Sequence, residues 1–231
     1  MCGHVSPAEE VGRHERSRMT RPSDVAAVPP TRKRRGRPSK SNSAETRANL
    51  IESARKLFAE NGYDRAAVSE VCRGAEIVPS AFYHYFPDKE SLYEAVFDAS
   101  ITKVWDVLQD SIRDKSTARE ALAAFVNAAD RAGETLPHFP EFLTALPLEA
   151  SRNPRFRRLV DHRTELQRRS FERIAEIGTR NAEFPDDLDT DELAEHLRFT
   201  VMGWLLERNL SSHGSARTDV DGLLRLLRLT T

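Results

Sequence analysis

The sequence has only two cysteines in 231 residues, Cys2 and Cys72, and they lie in unlike contexts. Two cysteines are too few for a disulfide framework or a cysteine-ligated metal cluster. No apolar run approaches the ~20 residues that a membrane-spanning helix needs, and residues 1–20 hold no apolar stretch typical of a signal peptide. We therefore expect a cytoplasmic protein that carries no metal or other cofactor.

Catalytic motifs are also absent from the sequence. No segment has the pattern of a nucleophile elbow, a phosphate-binding loop or an H-E-x-x-H metal site. His138, His162 and His196 are too dispersed to argue for a metal site. An all-α enzyme is therefore the weakest of the functions that we consider.

Positive charge is concentrated in one short segment. The net charge is -1, yet the segment "RKRRGRPSK" at 32–40 holds six basic residues and no acid, which leaves about -7 for the rest of the chain. Residues 1–43 are rich in Pro, Ser and Arg and poor in large apolar residues, which predicts a disordered basic arm. Within it, "RGRP" resembles the core of an AT-hook, with Arg35 and Arg37 in a narrow A·T minor groove. A solvated charge run or a nuclear-import signal are the alternatives.

From residue 44 the apolar pattern becomes helical. The first helix has a stripe at Leu50, Ala54, Leu57 and Phe58, and Gly62 supplies a stop. A second, shorter stripe runs from 68 to 75. Pro79 then opens a third helix, in which Phe82 and Phe86 share one face and Tyr83 and His84 are turned outward. Phenol and imidazole groups on an exposed face can donate to phosphate oxygens and pack on thymine methyls.

Residues 46–98 resemble the DNA-binding domain of the TetR family of bacterial transcriptional regulators. The resemblance rests on "A..LF...GY" at 54–63 and on the aromatic run "FYHYF..K..L" at 82–92. It implies a helix-turn-helix in which 68–75 cross the DNA backbone and 79–85 enter the major groove. The DNA contacts that we predict are Arg35, Arg37, Arg65, Ser69, Ser80, Tyr83, His84, Tyr85 and Lys89, with Tyr85 and Lys89 at phosphates.

The chain departs from the family pattern at several positions. Ala66 and Ala67 stand where threonines usually cap the second helix, Glu76 replaces the turn glycine, and Val78 replaces the serine that caps the recognition helix. We expect a less tightly capped motif, with Pro79 compensating in part through its fixed φ. The recognition helix also has no Lys or Arg, so most of the electrostatic affinity for DNA must come from elsewhere.

Beyond residue 99 we expect only helices, at about 101–113, 117–132, 139–151, 154–182, 190–210 and 219–229. By resemblance the last two form a four-helix bundle with the same pair of a second subunit, although an intramolecular core explains their leucines too. The predicted interface residues are Leu193, Leu197, Val201, Trp204, Leu223, Leu226 and Leu227. The middle helices would enclose an effector, with candidate contacts at Trp105, His138, Phe139, Phe142, Leu146, His162 and Met202.

The sequence thus predicts an all-α fold. A basic arm at 1–43 would precede a three-helix helix-turn-helix domain at 44–98, and a larger helical domain for effector binding and dimerisation would follow at 99–231. The predicted function is that of a homodimeric repressor, which binds a palindromic operator in double-stranded DNA and is released by a small-molecule effector. The alternative is an architectural protein that binds A·T-rich DNA without an effector.

Overall fold

The computed structural model describes residues 40–184, 187–210 and 220–226, and every regular element within these ranges is helical. The predicted all-α fold is confirmed. The helices are α1 (Lys40–Arg65), α2 (Val68–Gly74), α3 (Pro79–Phe82), α4 (Lys89–Ile112), α5 (Ala118–Thr135), α6 (Phe139–Arg152), α7 (Arg157–Arg180), α8 (Thr190–Leu210) and α9 (Val220–Leu226), with a 3-10 turn at Pro154–Phe156 before α7.

The first helix differs from its prediction at both ends. It begins at Lys40, so residues 40–43 are helical although the sequence places them in the arm. At Gly62 the backbone leaves the helical region, with φ 75° and ψ 172°, and helical structure resumes up to Arg65. The glycine therefore kinks the helix at the position where the sequence predicts a stop.

A single long helix joins the two predicted domains. The sequence suggests a separate helix at 101–113, whereas α4 runs without a break from Lys89 to Ile112. It packs against α1, α5 and α7. The predicted domain boundary at residue 98 falls inside α4, so both parts share this helix and one continuous apolar core.

The remaining helices pack in pairs around that core. α7 lies along α8, α5 contacts α7 and α9, and α6 contacts both α1 and α7. Because α6 reaches α1, the C-terminal part of the chain touches the N-terminal part through a second element besides α4. Among the described residues, no helix is long and apolar enough to cross a membrane.

The helix starts around the predicted helix-turn-helix are unevenly capped. Ala67 and Val78 precede α2 and α3 and provide no side-chain cap, as the sequence predicts. Asp88 caps α4 by accepting a 2.7 Å hydrogen bond from the Ser91 amide, and this backbone bond lowers the pKa of its carboxyl group. Capping is therefore concentrated on the long helix, while the two short helices depend on packing.

Candidate functional site: the DNA-reading face and an internal cavity

An exposed aromatic face follows α3. Phe82 and Phe86 are buried, and Tyr83 keeps 66% of its surface exposed while its ring rests edge-on against Phe82 at 5.3 Å. Ser80 and His84 are exposed as well, whereas Tyr85 is half-buried. The two buried rings fix the segment on the core and leave the side chains of Tyr83 and His84 exposed to solvent.

Basic groups lie near this face. Arg65 and Ser69 are exposed, which suits their predicted contacts, while Arg35 and Arg37 lie outside the described residues. Two further exposed arginines were not predicted from the sequence. Arg73 on α2 lies 3.3 Å from Glu70, and the guanidinium of Arg47 sits 4.9 Å from the centre of the Phe86 ring. The Arg47 position depends on tertiary packing, which no local sequence pattern indicates.

Lys89 is held inside the fold and does not point to an open surface. Its ammonium donates to the carbonyl oxygens of Tyr63, Asp64 and Ala66 at 2.7, 3.3 and 3.1 Å. Desolvation lowers the pKa of this ammonium, although the acidic groups of Asp64 and Glu149 oppose the shift. An ammonium has three donors, and the carbonyls use all of them. In this conformation Lys89 closes the end of α1, and the phosphate contact predicted for it would require these bonds to break.

A buried carboxylate on α6 meets the kink in α1. Glu149 is 4% exposed, and its Oε1 accepts a 3.0 Å hydrogen bond from the Tyr63 amide. A Cβ placed on Gly62 would lie 2.7 Å from the same oxygen, so only glycine lets the carboxylate approach. The kink in α1 and the carboxylate on α6 therefore form one joint.

Arg55 makes a second polar link between α1 and the rest of the protein. It is 3% exposed, and its Nε donates to the carbonyl oxygen of Pro137, just before α6, at 3.0 Å. Its Nη1 lies 3.5 Å from the hydroxyl of Ser100 on α4, and its Nη2 pairs with Glu52. One guanidinium thus connects α1 to α4 and to the segment that precedes α6.

Aromatic rings fill the space around the Glu149 joint. The Tyr93 ring on α4 stacks on Phe156 at 4.3 Å and contacts Phe58, Tyr63 and Phe142 at 5.0 to 5.4 Å. The Tyr93 hydroxyl is buried and has no hydrogen-bond partner in the part of the chain that the structure describes, and burial raises its pKa. Close-packed rings resist small displacements, so a shift of α6 would be transmitted to α1 and α4.

An internal cavity of about 350 Å³ lies among α4, α5, α6, α7 and α8. Its walls are mostly apolar, with a few polar groups, which is the composition typical of a small-molecule site. The lining residues are Val104, Trp105, Leu108, Phe125, Ala129, Asp130, Phe139, Pro140, Leu143, Thr144, Pro147, Arg163, Gln167, Phe199, Met202, Gly203, Leu205 and Leu206.

The cavity contains three of the seven predicted effector contacts: Trp105, Phe139 and Met202. Phe142 and Leu146 are instead buried in the core, and His162 is exposed beside the Phe97 ring. His138 precedes α6 with a left-handed φ of 64°. The polar wall formed by Asp130, Arg163 and Gln167 was not predicted from the sequence, because arginines and acids recur throughout α5 and α7 and only the packing shows which of them face inward.

Four of the predicted dimer residues are buried within the subunit. Leu193, Leu197 and Val201 of α8 and Leu223 of α9 are each at most 5% exposed, since α8 packs on α7 and α9 packs on α5. Trp204 is half-buried, while the Leu226 side chain and the whole of Leu227 lie outside the part of the chain that the structure describes. Among the α8 side chains that the structure describes, the large apolar ones that are exposed are Phe199 and Leu206, on a different face. An interface on α8 would therefore use residues that the sequence did not indicate.

Comparisons with known proteins agree with this geometry. Residues 50–96 match the family model for bacterial regulatory proteins of the tetR family. The chain is 26% identical over 164 residues to the fatty acid metabolism regulator protein of Bacillus subtilis, covering 68% of this chain and 82% of that protein. It is 24% identical over 177 residues to the transcriptional repressor KstR2 of Rhodococcus jostii, covering 75% of this chain and 83% of the repressor. The fold resembles the crystal structure of Bacillus subtilis FadR in complex with stearoyl-CoA, with a TM-score of 0.65 and 21% sequence identity. The superposition covers 78% of this chain and 96% of the FadR chain.

Proposed function

We propose that this chain, a transcriptional regulator of the TetR family, is a dimeric repressor that releases its operator when a small molecule occupies the internal cavity. The exposed Tyr83 and His84 would read the major groove of each half-site. The two half-sites would be related by two-fold symmetry, and they would lie about one helical turn or slightly more apart so that both subunits reach successive major grooves on one face of the duplex. An architectural protein has no need of such a cavity, so that alternative is not favoured.

The observation that carries this proposal is the double role of α6. Its residues Phe139, Leu143 and Pro147 line the cavity, while Glu149 on the same helix holds the amide after the α1 kink. The segment before α6 is held by Arg55 of α1. A ligand that displaces α6 would thus act directly on the helix that precedes the helix-turn-helix.

Coupling between cavity and operator is a difference between two states of the protein. A ligand shifts the equilibrium only by its differential affinity for the operator-binding and released conformations. A hundredfold loss of operator affinity requires about 2.7 kcal/mol of coupling. Polar links and packed rings between α6 and α1 provide contacts whose free energy can differ between the states by this amount.

The DNA-reading role is tested by selecting binding sites for the full chain from random double-stranded DNA. We expect a palindromic consensus, and we expect Tyr83→Ala to weaken binding to it by about tenfold or more while the circular dichroism spectrum is unchanged. Lys103→Ala, at an exposed position on α4, is the control and should bind normally. Recovery of DNA without any common sequence, or unchanged affinity of Tyr83→Ala, would contradict the assignment.

We also propose that the basic segment at 32–40 adds electrostatic affinity and A·T preference next to the operator. Its six positive charges can release counterions from phosphates. Deleting residues 1–40 should reduce the slope of log K against log salt by up to ~5 per subunit if all six charges meet phosphates. An identical slope with and without the segment would show that the segment adds no electrostatic affinity for DNA.

For the dimer we propose an interface that includes Phe199, Gly203 and Leu206 of α8. These residues follow one helical face, since positions four and seven apart along a helix lie on the same side. Phe199 is 60% exposed and Leu206 is 42% exposed, and a Cβ on Gly203 would meet no atom within 4 Å. A glycine between two exposed apolar side chains lets a second helix approach closely. Because the same residues line the cavity, the second subunit would also cover its open side.

A further inference from the structure

The cavity wall contains the cationic guanidinium of Arg163, for which the described residues supply no acidic partner. Arg163 on α7 donates from Nη1 to the carbonyl oxygen of Leu143 at 3.0 Å, while its Nε is buried and has no hydrogen-bond partner within the described ranges. Among the residues that the structure describes, Arg163 forms no ion pair with an acid. Burial, and secondarily the nearby Arg198, lowers the pKa of its guanidinium, which indicates a poorly compensated charge. A buried charge without a partner is destabilising, and an anion bound beside Arg163 would supply the missing partner.

A second donor in the cavity wall also lacks an acceptor. Trp105 is 5% exposed, and its indole Nε1 is buried with no partner in the described structure. A buried N–H without an acceptor is unfavourable, because it has lost its hydrogen bond to water and gained none in the protein. Only three buried side-chain polar atoms of the described residues have no partner, and two of them belong to Trp105 and Arg163, both of which line the cavity. Both unpaired groups are donors, so the missing group is an acceptor.

Asp130, the one acid among the described residues that line the cavity, is already paired. Asp130 lies 3.0 Å from the guanidinium of Arg208, and burial is the main effect that raises its pKa. It therefore does not neutralise Arg163, and it does not offer a free carboxylate to a cationic ligand. Among the described lining residues Asp130 and Arg163 are the two that carry charge, and because Arg208 pairs with Asp130, only the charge of Arg163 stays uncompensated. Phe125, Phe139 and Leu108 contribute apolar walls.

We infer that the effector is an apolar molecule with a single carboxylate, which accepts hydrogen bonds from Arg163 Nε and Trp105 Nε1 while its hydrocarbon part fills the space between α5, α6 and α8. This inference rests on the proposed function, because it names the ligand class of the same cavity. A guanidinium and an indole N–H both suit a carboxylate oxygen. The volume of about 350 Å³ is near the lower end for small-molecule sites, so the cavity encloses a single chain or a small ring system.

The direct test compares an acid with its neutral ester on the unmodified full chain. Dodecanoate represents a straight chain, 2-naphthoate represents a ring system, and choline represents a cation. Affinities are measured by calorimetry and, independently, by the fluorescence of the two tryptophans. At least one acid should bind about tenfold more tightly than its methyl ester, and it should also bind more tightly than choline. The relative affinities of the two acids show which hydrocarbon shape the cavity accepts.

The variant Arg163→Met should weaken binding of the acid by about 10- to 100-fold and leave the affinity for the ester nearly unchanged. Arg169→Met is the matched control, because Arg169 lies on the same helix and pairs with Glu165 on the outer surface. Arg163→Lys keeps the charge and should retain part of the affinity, which guards against misfolding of the methionine variant. The inference is overturned if acid and ester bind equally to the unmodified chain, if neither acid binds, or if choline binds more tightly.

The outcome is separable from that of the proposed function. If an acid binds through Arg163 but operator affinity does not change, the ligand class stands and the repressor mechanism fails. If no acid binds while an unrelated compound releases the operator, the mechanism stands and the ligand class is wrong.

Discussion

Glu76 occupies the left-handed region of backbone space, with φ 56°, in the turn between α2 and α3. This backbone conformation costs a residue with a Cβ roughly 1–2 kcal/mol, whereas glycine adopts it without that cost. The turn nevertheless forms, because Ile77 donates to Cys72 O at 2.9 Å and buried Val71 and Cys72 anchor α2 on the core. At this residue the helix-turn-helix is held by packing and backbone bonds against a local conformational preference.

Glu76→Gly should therefore raise the free energy of unfolding by about 0.5–1 kcal/mol, after the entropy lost on fixing a glycine is included. Urea denaturation monitored by circular dichroism measures this change. Glu60→Gly is the control, since Glu60 is exposed within α1 and its replacement should destabilise by about 1 kcal/mol. A loss of stability in both variants would show that the turn does not strain Glu76.

Residues of the reading face were predictable, and those of the cavity wall were only partly so. The spacing of Phe82 and Phe86 determines which rings are buried, and Tyr83 is exposed as that spacing predicts. The inward position of Arg163 depends on how α7 packs against α4 and α6, and its helix carries many other arginines with the same local pattern. The inward-facing ammonium of Lys89 likewise results from the α1 kink.

At the scale of elements, α6 is the part that the cavity and the DNA-binding region share. The Glu149 carboxylate is bound to the Tyr63 amide, and the absence of a side chain at Gly62 permits this approach. α4 offers a second route, since it runs from the cap at Asp88 to the cavity residues Val104 and Trp105. A ligand can thus bias both helices at once.

Replacing Glu149 should weaken coupling more than it weakens operator binding. Coupling is measured as the operator affinity without a releasing compound divided by the operator affinity with it. We expect Glu149→Leu to reduce this ratio by about 2- to 30-fold, equivalent to about 0.5–2 kcal/mol. Fluorescence anisotropy of labelled operator measures both affinities. Glu149→Gln keeps an acceptor oxygen and should recover part of the coupling, and Glu141→Leu at an exposed site on α6 is the control. Normal coupling in a folded Glu149→Leu protein would exclude the joint from the mechanism.

Helix positions were largely evident from the apolar periodicity, but their junctions were not. The predicted helices at 117–132, 139–151 and 190–210 correspond closely to α5, α6 and α8. The continuity of α4 was missed, because its stripe weakens around residue 99 and the burial that sustains the helix comes from α5 and α7. The link between Arg55 and Pro137 joins residues 82 positions apart and has no local sequence signal.

At the scale of the whole molecule, operator binding requires two subunits that hold two reading faces at a fixed separation. The inner face of α8 is used within the subunit, and Phe199, Gly203 and Leu206 remain for a partner. In the sequence the most apolar stripe of α8 was the natural choice for an interface, but the subunit's own core buries that stripe first.

Gly203→Leu should disrupt the dimer without unfolding the subunit. A Cβ added to Gly203 meets no atom within 4 Å in the subunit, and leucine favours a helix over glycine by up to about 1 kcal/mol. Light scattering after gel filtration should show a shift toward monomer, and affinity for a palindromic site should fall with it. Lys56→Leu, exposed on α1, should remain dimeric. A stable dimer of Gly203→Leu would place the interface elsewhere.

The central claim, that cavity occupancy and operator binding oppose each other, is tested most directly by calorimetry of a releasing compound against the protein with and without saturating operator. Reciprocity requires that operator DNA weaken binding of the compound by the same factor by which the compound weakens operator binding. For a hundredfold release we predict a hundredfold weaker affinity for the compound on DNA, or about 2.7 kcal/mol. Equal affinity in the two titrations would contradict the account.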